Sequence, residues 1–404
     1  MGKRILFVDD EENILEGVRR TLRSMRAEWD MFFAPSGVEA LNLLKQQAVD
    51  IIVTDMLMPG MNGAELLSEV MRLYPNTIRF ILSGQSDKEA CFRSAGIAHQ
   101  FLKKPCNVEE IKEAINRAFL LRGGLADEKL MKIVSRITTL PTFPDLYSEM
   151  MQELRNPDVS LDRIGKIIEQ DMAMSARVLQ LVNSAFFGLT HRISNPTQAA
   201  ALLGIESLKS MVLVAHIFKQ YEGIKTPLFS LNALWSHSIA ISMYSFLITN
   251  AEAGTPGDMD VAYTAGLLHD VGKLVFAVSL TDQYEKALSH ARDCNMPVEK
   301  AEKEFFGATH ADVGAYLLGL WGLPDSIVEA ILYHHRPGEC LAGRFGPLTS
   351  IHAAHLMEKE LSQADGRGLP VEIDAEYFNR IGVEERIAAW KELCLGVPKK
   401  KSGE

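Results

Sequence analysis

Two short, nearly unbroken apolar runs, Ile5-Leu6-Phe7-Val8 and Ile51-Ile52-Val53-Thr54, each end on acid: Asp9-Asp10 after the first and Asp55 after the second. Runs of this length and composition suit strands covered on both faces, the condition of a parallel sheet. Three more β-type runs lie at 31–34, 79–82 and 100–102, and helical patterns such as 12–25, 38–46 and 108–121 fall between the runs. Five strands alternating with five helices predict a doubly wound α/β unit with its ligand site at the carboxyl ends of the strands. Asp9, Asp10 and Asp55 then share one sheet edge, where three carboxylates repel unless they hold a hard cation such as Mg2+. Such a cation assists phosphoryl transfer to a carboxylate.

Beyond this unit the periodicity changes. Gly123-Gly124 breaks the pattern, and Leu130, Ile133, Val134, Ile137 and Leu140 then follow helical spacing up to Pro141, which predicts an amphipathic connector helix packed on a second domain. From Pro141 onward no strand alternation stands out. Helical segments are punctuated by Asn156-Pro157, Asn195-Pro196, Thr255-Pro256-Gly257, Leu323-Pro324 and Pro337-Gly338, so the second half reads as all-α. Ser160 and Asn195 stand at helix N-cap positions, with Pro196 in the first turn. The expected domains are 1–122, a hinge and connector at 123–139, a helical domain at 140–362, and a helical extension with a disordered basic tail at 363–404.

With 404 residues and 23% charged residues, the chain fits two or three folded domains. Its net charge of −10 disfavours a broad nucleic-acid surface. Five cysteines without C-x-x-C spacing read as reduced thiols of a cytoplasmic protein. No signal-peptide pattern follows Met1, and no uninterrupted apolar stretch nears the roughly 20 residues that span a bilayer, so no membrane partner is expected.

Further residues complete the acidic edge: Leu57 after Asp55, Leu82-Ser83-Gly84, and Phe101-Leu102-Lys103-Lys104-Pro105. With them the first half resembles the receiver domain of two-component response regulators along essentially its whole length. The resemblance implies that Asp55 is the phosphoacceptor, that Asp10 binds Mg2+ directly and Asp9 mainly through water, and that the Leu57 carbonyl adds an oxygen ligand. Ser83 would hydrogen-bond the phosphorylated aspartate, and Lys104 would pair with the phosphoryl group. Pro105 would carry a cis peptide, and Phe101 would be the aromatic switch residue, without the hydroxyl of a tyrosine. The implied partner is a sensor histidine kinase, and a homodimer is one assembly such receivers adopt.

The second half carries Gly266-Leu267-Leu268-His269-Asp270-Val271-Gly272-Lys273, with His237, His310, His334, His335, His352 and His355 on other helical segments. Imidazoles with one bridging carboxylate suit Fe, Mn, Zn or Ni better than calcium. Together with Leu140-Pro141-Thr142-Phe143-Pro144, Ile168-Glu169-Gln170-Asp171, Leu181-Val182-Asn183-Ser184-Ala185 and Ala201-Leu202-Leu203-Gly204, this half resembles the HD superfamily and, within it, the HDOD output domain. In catalytic relatives His237, His269, Asp270, His310, His334 and His335 would be metal ligands and Lys273 a phosphate contact. Two departures stand out. His355 occupies the place of the aspartate that closes the HD pattern, and no Gly-Tyr-Pro loop follows His335. His99, His191, His216 and His290 read as packing or surface residues, and the methionines as gap-fillers. Two outputs stay open: signalling to an unidentified downstream protein by contact, or metal-dependent phosphohydrolase or phosphodiesterase activity, with the weight against an enzyme.

Overall fold

A computed structural model describes residues 2–83, 96–104, 108–124, 128–135, 137, 140–142, 144–156, 158–183, 191–209, 212, 219–220, 228–341, 343–362 and 374–395. Pro105, Cys91, Cys106, His216 and the basic tail, about which the sequence raised expectations, lie outside them.

The N-terminal half is a parallel five-stranded sheet of order β2-β1-β3-β4-β5, with β1 Lys3–Val8, β2 Trp29–Ala34, β3 Ile51–Asp55, β4 Ile78–Ser83 and β5 Gln100–Lys103. Every residue of β3 and β4 is buried, as strands covered on both faces require. The covering helices are α1 Glu12–Thr21, α2 Gly37–Gln46, α3 Gly63–Leu73 and α4 Val108–Gly124. Asn62 starts α3 with a capping box to Glu65, and Ser36 caps α2 through the Glu39 amide. The strand order reverses at β1 and β3, which is where ligands bind in this architecture. Val8 stands opposite Thr54 there, so Asp9 and Asp55 emerge side by side.

Two features of the link between the halves differ from expectation. Helix α4 runs through Gly123 and Gly124, where the sequence pattern predicts a break. Each helical glycine costs about 1 kcal/mol relative to alanine, and packing of Leu121 on Gly319 holds the last turns in place. The connector helix α5 covers only Glu128–Val134, short of Pro141. Its end is set by tertiary contact: the buried Arg79 guanidinium takes the Ser135 carbonyl at 2.6 Å.

The rest is helical. α6 Pro144–Arg155, α7 Leu161–Glu169, α8 Met172–Val182, α9 Pro196–Leu203 and α10 Ile205–Lys209 form a first group. Asn195 caps α9 through the Gln198 amide, whereas Ser160 sits at the N-cap of α7 without a capping hydrogen bond. The second group is α11 Leu231–Ala251, α12 Pro256–Leu268, α13 Val271–Ser279, α14 Thr281–Asp293, α15 Val298–Phe306, α16 His310–Leu320, α17 Asp325–Tyr333 and α18 Pro347–Ser362. One parallel bridge of two-residue strands, β6 Pro141–Thr142 with β7 Lys219–Gln220, was not foreseen, because two residues show no period.

By length and mean hydropathy the stretch Pro256–Ser279 could cross a membrane, although Asp258, Asp260, His269, Asp270 and Lys273 interrupt it. It is broken by the turn at His269 and Asp270, and 78% of its apolar window is buried inside the protein, as a core helix pair is. The C-terminal helices α19 Ala375–Ile381 and α20 Ile387–Leu395 also find a place. Trp390 is fully buried and donates to Glu252 at the end of α11, while Tyr377 bonds Thr349 on α18.

Candidate functional site

At the sheet edge, buried Asp9 and Asp55 flank the Lys104 ammonium, which lies 2.7 Å from Asp9 Oδ2 and 2.5 Å from Asp55 Oδ1. The remaining carboxylate oxygens take backbone amides, Glu11 N on Asp9 and Leu57 N on Asp55, each at 3.0 Å. Burial raises the Asp55 pKa, and the opposing pull of Lys104 does not cancel it. Burial also disfavours the Lys104 charge, but Asp55 and Asp9 outweigh it and raise the ammonium pKa. Ser83 follows Leu82, the register partner of Asp55, and its hydroxyl is buried with no hydrogen-bond partner among the described residues. Asp10 is exposed beside Asp9, the Leu57 side chain is exposed, and Phe101 is buried on β5. Gly63 starts α3 against this site. A Cβ there would stand 2.1 Å from the Asp55 carbonyl oxygen, so only glycine allows the helix to begin so close.

A second centre lies where five helical segments converge. His237 comes from the middle of α11, and His269 and Asp270 from the turn between α12 and α13. His310 opens α16, His334 and His335 follow α17, and His355 lies on α18. Close helix crossings make the convergence possible: an added Cβ at Gly266 would meet Ser242 Cα at 2.8 Å, and one at Gly272 the His310 carbonyl oxygen at 2.0 Å. Several rings are tied from behind through Nδ1: His269 to the Gly266 carbonyl, His334 to the Ile331 carbonyl and His310 to Glu302, all at 2.6 Å, and His237 to Glu358 at 2.5 Å. Their Nε2 atoms therefore face inward and toward one another, at 3.2 Å for His237 and His269 and 3.0 Å for His310 and His335.

Asp270 is fully buried among these rings, with Oδ1 3.1 Å from His310 Nε2 and Oδ2 2.7 Å from Lys273 Nζ. Burial keeps His334, His335 and His355 well below the usual histidine pKa, in the neutral form that ligates metal. At His310 burial opposes the charge but Glu302 and Asp270 prevail, raising its pKa to about 9. His355 Nε2 is buried and has no partner among the described residues, whose ligand atoms fall into two groups of metal-binding dimensions. This donor set fits a transition ion. His352 turns away: it accepts the Asp374 amide and contacts the His334 carbonyl, bracing the centre from outside.

The family model for the response regulator receiver domain matches residues 5–116, and that for the HDOD domain matches residues 140–337. The chain is a response regulator with a receiver domain and an HDOD domain.

An uncharacterized protein of Treponema pallidum (strain Nichols) is 28% identical over 206 residues, 50% of this chain and 39% of the relative. The hydrogenase transcriptional regulatory protein HoxA of Cupriavidus necator is 33% identical over 138 residues, 33% of this chain and 28% of HoxA. This response regulator therefore spans less than half the length of both. The crystal structure of the MmoQ response regulator from Methylococcus capsulatus str. Bath shares the fold, with a TM-score of 0.51 and 24% identity over 63% of this chain and 98% of that one.

Several residues of this response regulator had escaped notice in the sequence. Glu302 and Glu358 orient histidines, but a lone glutamate on a helix carries no signal of that role. At the domain boundary Arg117 of α4 reaches the Leu323 carbonyl and lies 2.7 Å from Asp325, while Arg192 donates to the same carbonyl at 2.9 Å. Gln180 of α8 donates to the His99 carbonyl at 3.3 Å, and the Arg177 guanidinium covers the Trp321 ring. Arg79 is buried, which lowers its pKa to about 9, and it donates to the Thr77, Ile97 and Ser135 carbonyls. Hydrogen bonds from a charged donor contribute roughly 1.5–3 kcal/mol each. Arg79→Ala strands the buried Thr77 and Ser135 carbonyls and the partly buried Ile97 carbonyl and is expected to cost about 3 kcal/mol or more, measured as a lowered urea midpoint.

Proposed function

We propose that a sensor histidine kinase phosphorylates Asp55 and that the HDOD domain passes this state to a downstream protein by contact. The observation that carries the reading is Lys104 bridging Asp9 and Asp55 beside the buried hydroxyl of Ser83, which has no partner among the described residues. An Asp55 carboxylate oxygen attacks the phosphorus and the donor's leaving group departs. Lys104 then offsets the added charge and Ser83 donates to a phosphoryl oxygen. Mg2+ held by Asp9, Asp10, Asp55 and the Leu57 carbonyl would supply further charge compensation. Phe101, buried on β5, adjusts with the strand that leads into Lys104. A cytoplasmic setting suits a kinase partner.

The route to the output follows two strands. β4 carries Ser83 at its carboxyl end and Arg79 near its start; β5 runs from just after His99 to just before Lys104. The strands that hold the phosphoryl contacts at one end thus meet the connector, through Ser135, and the HDOD domain, through Gln180, at the other. Packed strands have discrete arrangements rather than continuous ones, so small shifts at one end are felt at the other. Incubation with acetyl phosphate and Mg2+, followed by intact-mass analysis, tests the reading: one phosphoryl group per chain supports it.

One observation favours a further property, retention of metal at the HD centre: a buried His355 Nε2 among inward-facing rings, without a partner among the described residues. Asp270, His237, His269, His310, His334, His335 and His355 would hold it. When bound, a transition ion of this kind activates water for phosphoester hydrolysis. Lys273, already paired with Asp270, would be the nearest cation to a phosphate. At a free metal concentration 100 times its Kd, occupancy stabilises the fold by about 2.7 kcal/mol. Stripping the ion with a chelator is therefore expected to lower Tm by about 5–10 °C, with elemental analysis of anaerobically purified protein as the companion measurement.

A further inference from the structure

We infer that the histidine cluster contains two unlike metal positions, and that His237, His269 and His355 form a neutral three-imidazole site for Zn2+ whose negative charge is supplied from outside by Glu358. The inference rests on the metal reading above and goes beyond it in separating the positions and naming an orienting residue.

The ligand atoms fall into two groups that meet at Asp270. Asp270, His310, His334 and His335 offer one group within 4.8 Å, and His237, His269 and His355 offer another. The first group contains a carboxylate and has Glu302 behind His310 at 2.6 Å. The second has none of its own, because position 355 is an imidazole. Asp270 Oδ2 does approach it, 3.3 Å from His269 and 3.5 Å from His237, but the same oxygen is held by Lys273 at 2.7 Å. The cation offsets what the shared carboxylate would lend.

Glu358 occupies the same helix face as His355, three residues on, so α18 presents both toward His237. Its carboxylate takes His237 Nδ1 at 2.5 Å, which fixes the tautomer with the Nε2 lone pair inward. Carboxylates in this relation raise the basicity of a ligating imidazole and hold its orientation. The Gly266 carbonyl does the orienting for His269. Three neutral imidazoles with a fourth position open are a tetrahedral zinc donor set, poor for the harder Mn2+ and Mg2+. Glu358 thus restores from behind the ligand ring the negative charge that a histidine at 355 leaves out.

The test uses the full chain, stripped with a chelator and titrated with Co2+ as a spectroscopic stand-in for Zn2+. The parent is expected to take up two ions, one of them with the intense visible absorption of tetrahedral Co2+. His355→Ala should lose that ion and keep the other. Glu358→Gln should keep the band shape, bind that Co2+ about 10–100-fold more weakly and leave the thermal midpoint of the metal-free chain unchanged, with Glu358→Asp recovering part of the affinity. His355→Asp, which keeps the ligand count, should lower the preference for Zn2+ over Mn2+ at least tenfold. An unchanged Co2+ affinity in Glu358→Gln, an unchanged Zn2+ to Mn2+ ratio in His355→Asp, or two ions bound by His355→Ala overturns this inference and leaves the metal reading standing. A parent chain that binds neither Co2+ nor Zn2+ overturns both.

Discussion

Asp55→Asn abolishes phosphoryl uptake from acetyl phosphate, with signal expected at least about 100-fold below the parent in intact-mass analysis, because the amide is no nucleophile. The neighbouring acids do not substitute for it. Asp9 is committed to Lys104 and the Glu11 amide, and Asp10 is exposed away from the lysine contacts. The variant should fold normally. Burial, the largest influence on Asp55, already disfavours its charge in the folded state, so exchanging a carboxylate for a neutral group of the same shape removes a desolvation cost. Lys104 keeps Asp9 as its partner. Unchanged far-UV circular dichroism with lost labelling is the expected pair of results. Labelling of Asp55→Asn at the parent level would mean that the acceptor lies elsewhere.

Gly272→Ala is expected to be the most damaging single methyl in the helical domain. The new Cβ would stand 2.0 Å from the His310 carbonyl oxygen and 2.7 Å from its carbon, and neither atom belongs to a flexible side chain. α13 and α16 would have to part where His310 enters the centre, which breaks the His310 contacts to Glu302 and Asp270 together. Overpacking typically costs 1–3 kcal/mol; with a buried polar network lost as well, about 4 kcal/mol or more is expected. Urea denaturation read by tryptophan fluorescence measures it, since Trp321 closes α16. A midpoint within error of the parent would contradict the packing described for this crossing.

What could be read from the sequence follows the range of the interactions involved. The parallel sheet was legible because the runs Ile5-Leu6-Phe7-Val8 and Ile51-Ile52-Val53 are apolar and lead into Asp9 and Asp55, a signal confined to a few neighbouring residues. The order Ser83 then Lys104 completed it for the same reason. In the helical half, histidines announce themselves by type, so His237 through His355 could be named. Their division into two groups could not, since it depends on which rings turn inward. Glu302 and Glu358 stayed hidden because an acidic residue on a helix is ordinary until its partner is known. The early end of the connector at Val134 depends on Arg79, some fifty residues away in another domain, and no local pattern records that contact. The fate of the C-terminal segment likewise depended on Glu252 meeting Trp390 across the chain.

The central claim is that the state of Asp55 reaches the HDOD domain through β4, β5 and α4. Hydrogen exchange read by mass spectrometry, with and without acetyl phosphate and Mg2+, addresses it directly. The account predicts that amides of 100–121 and of 317–325 change their exchange together on phosphorylation, and that Asp55→Asn removes both changes. Phosphorylation of Asp55 that leaves exchange in 317–325 identical would contradict it.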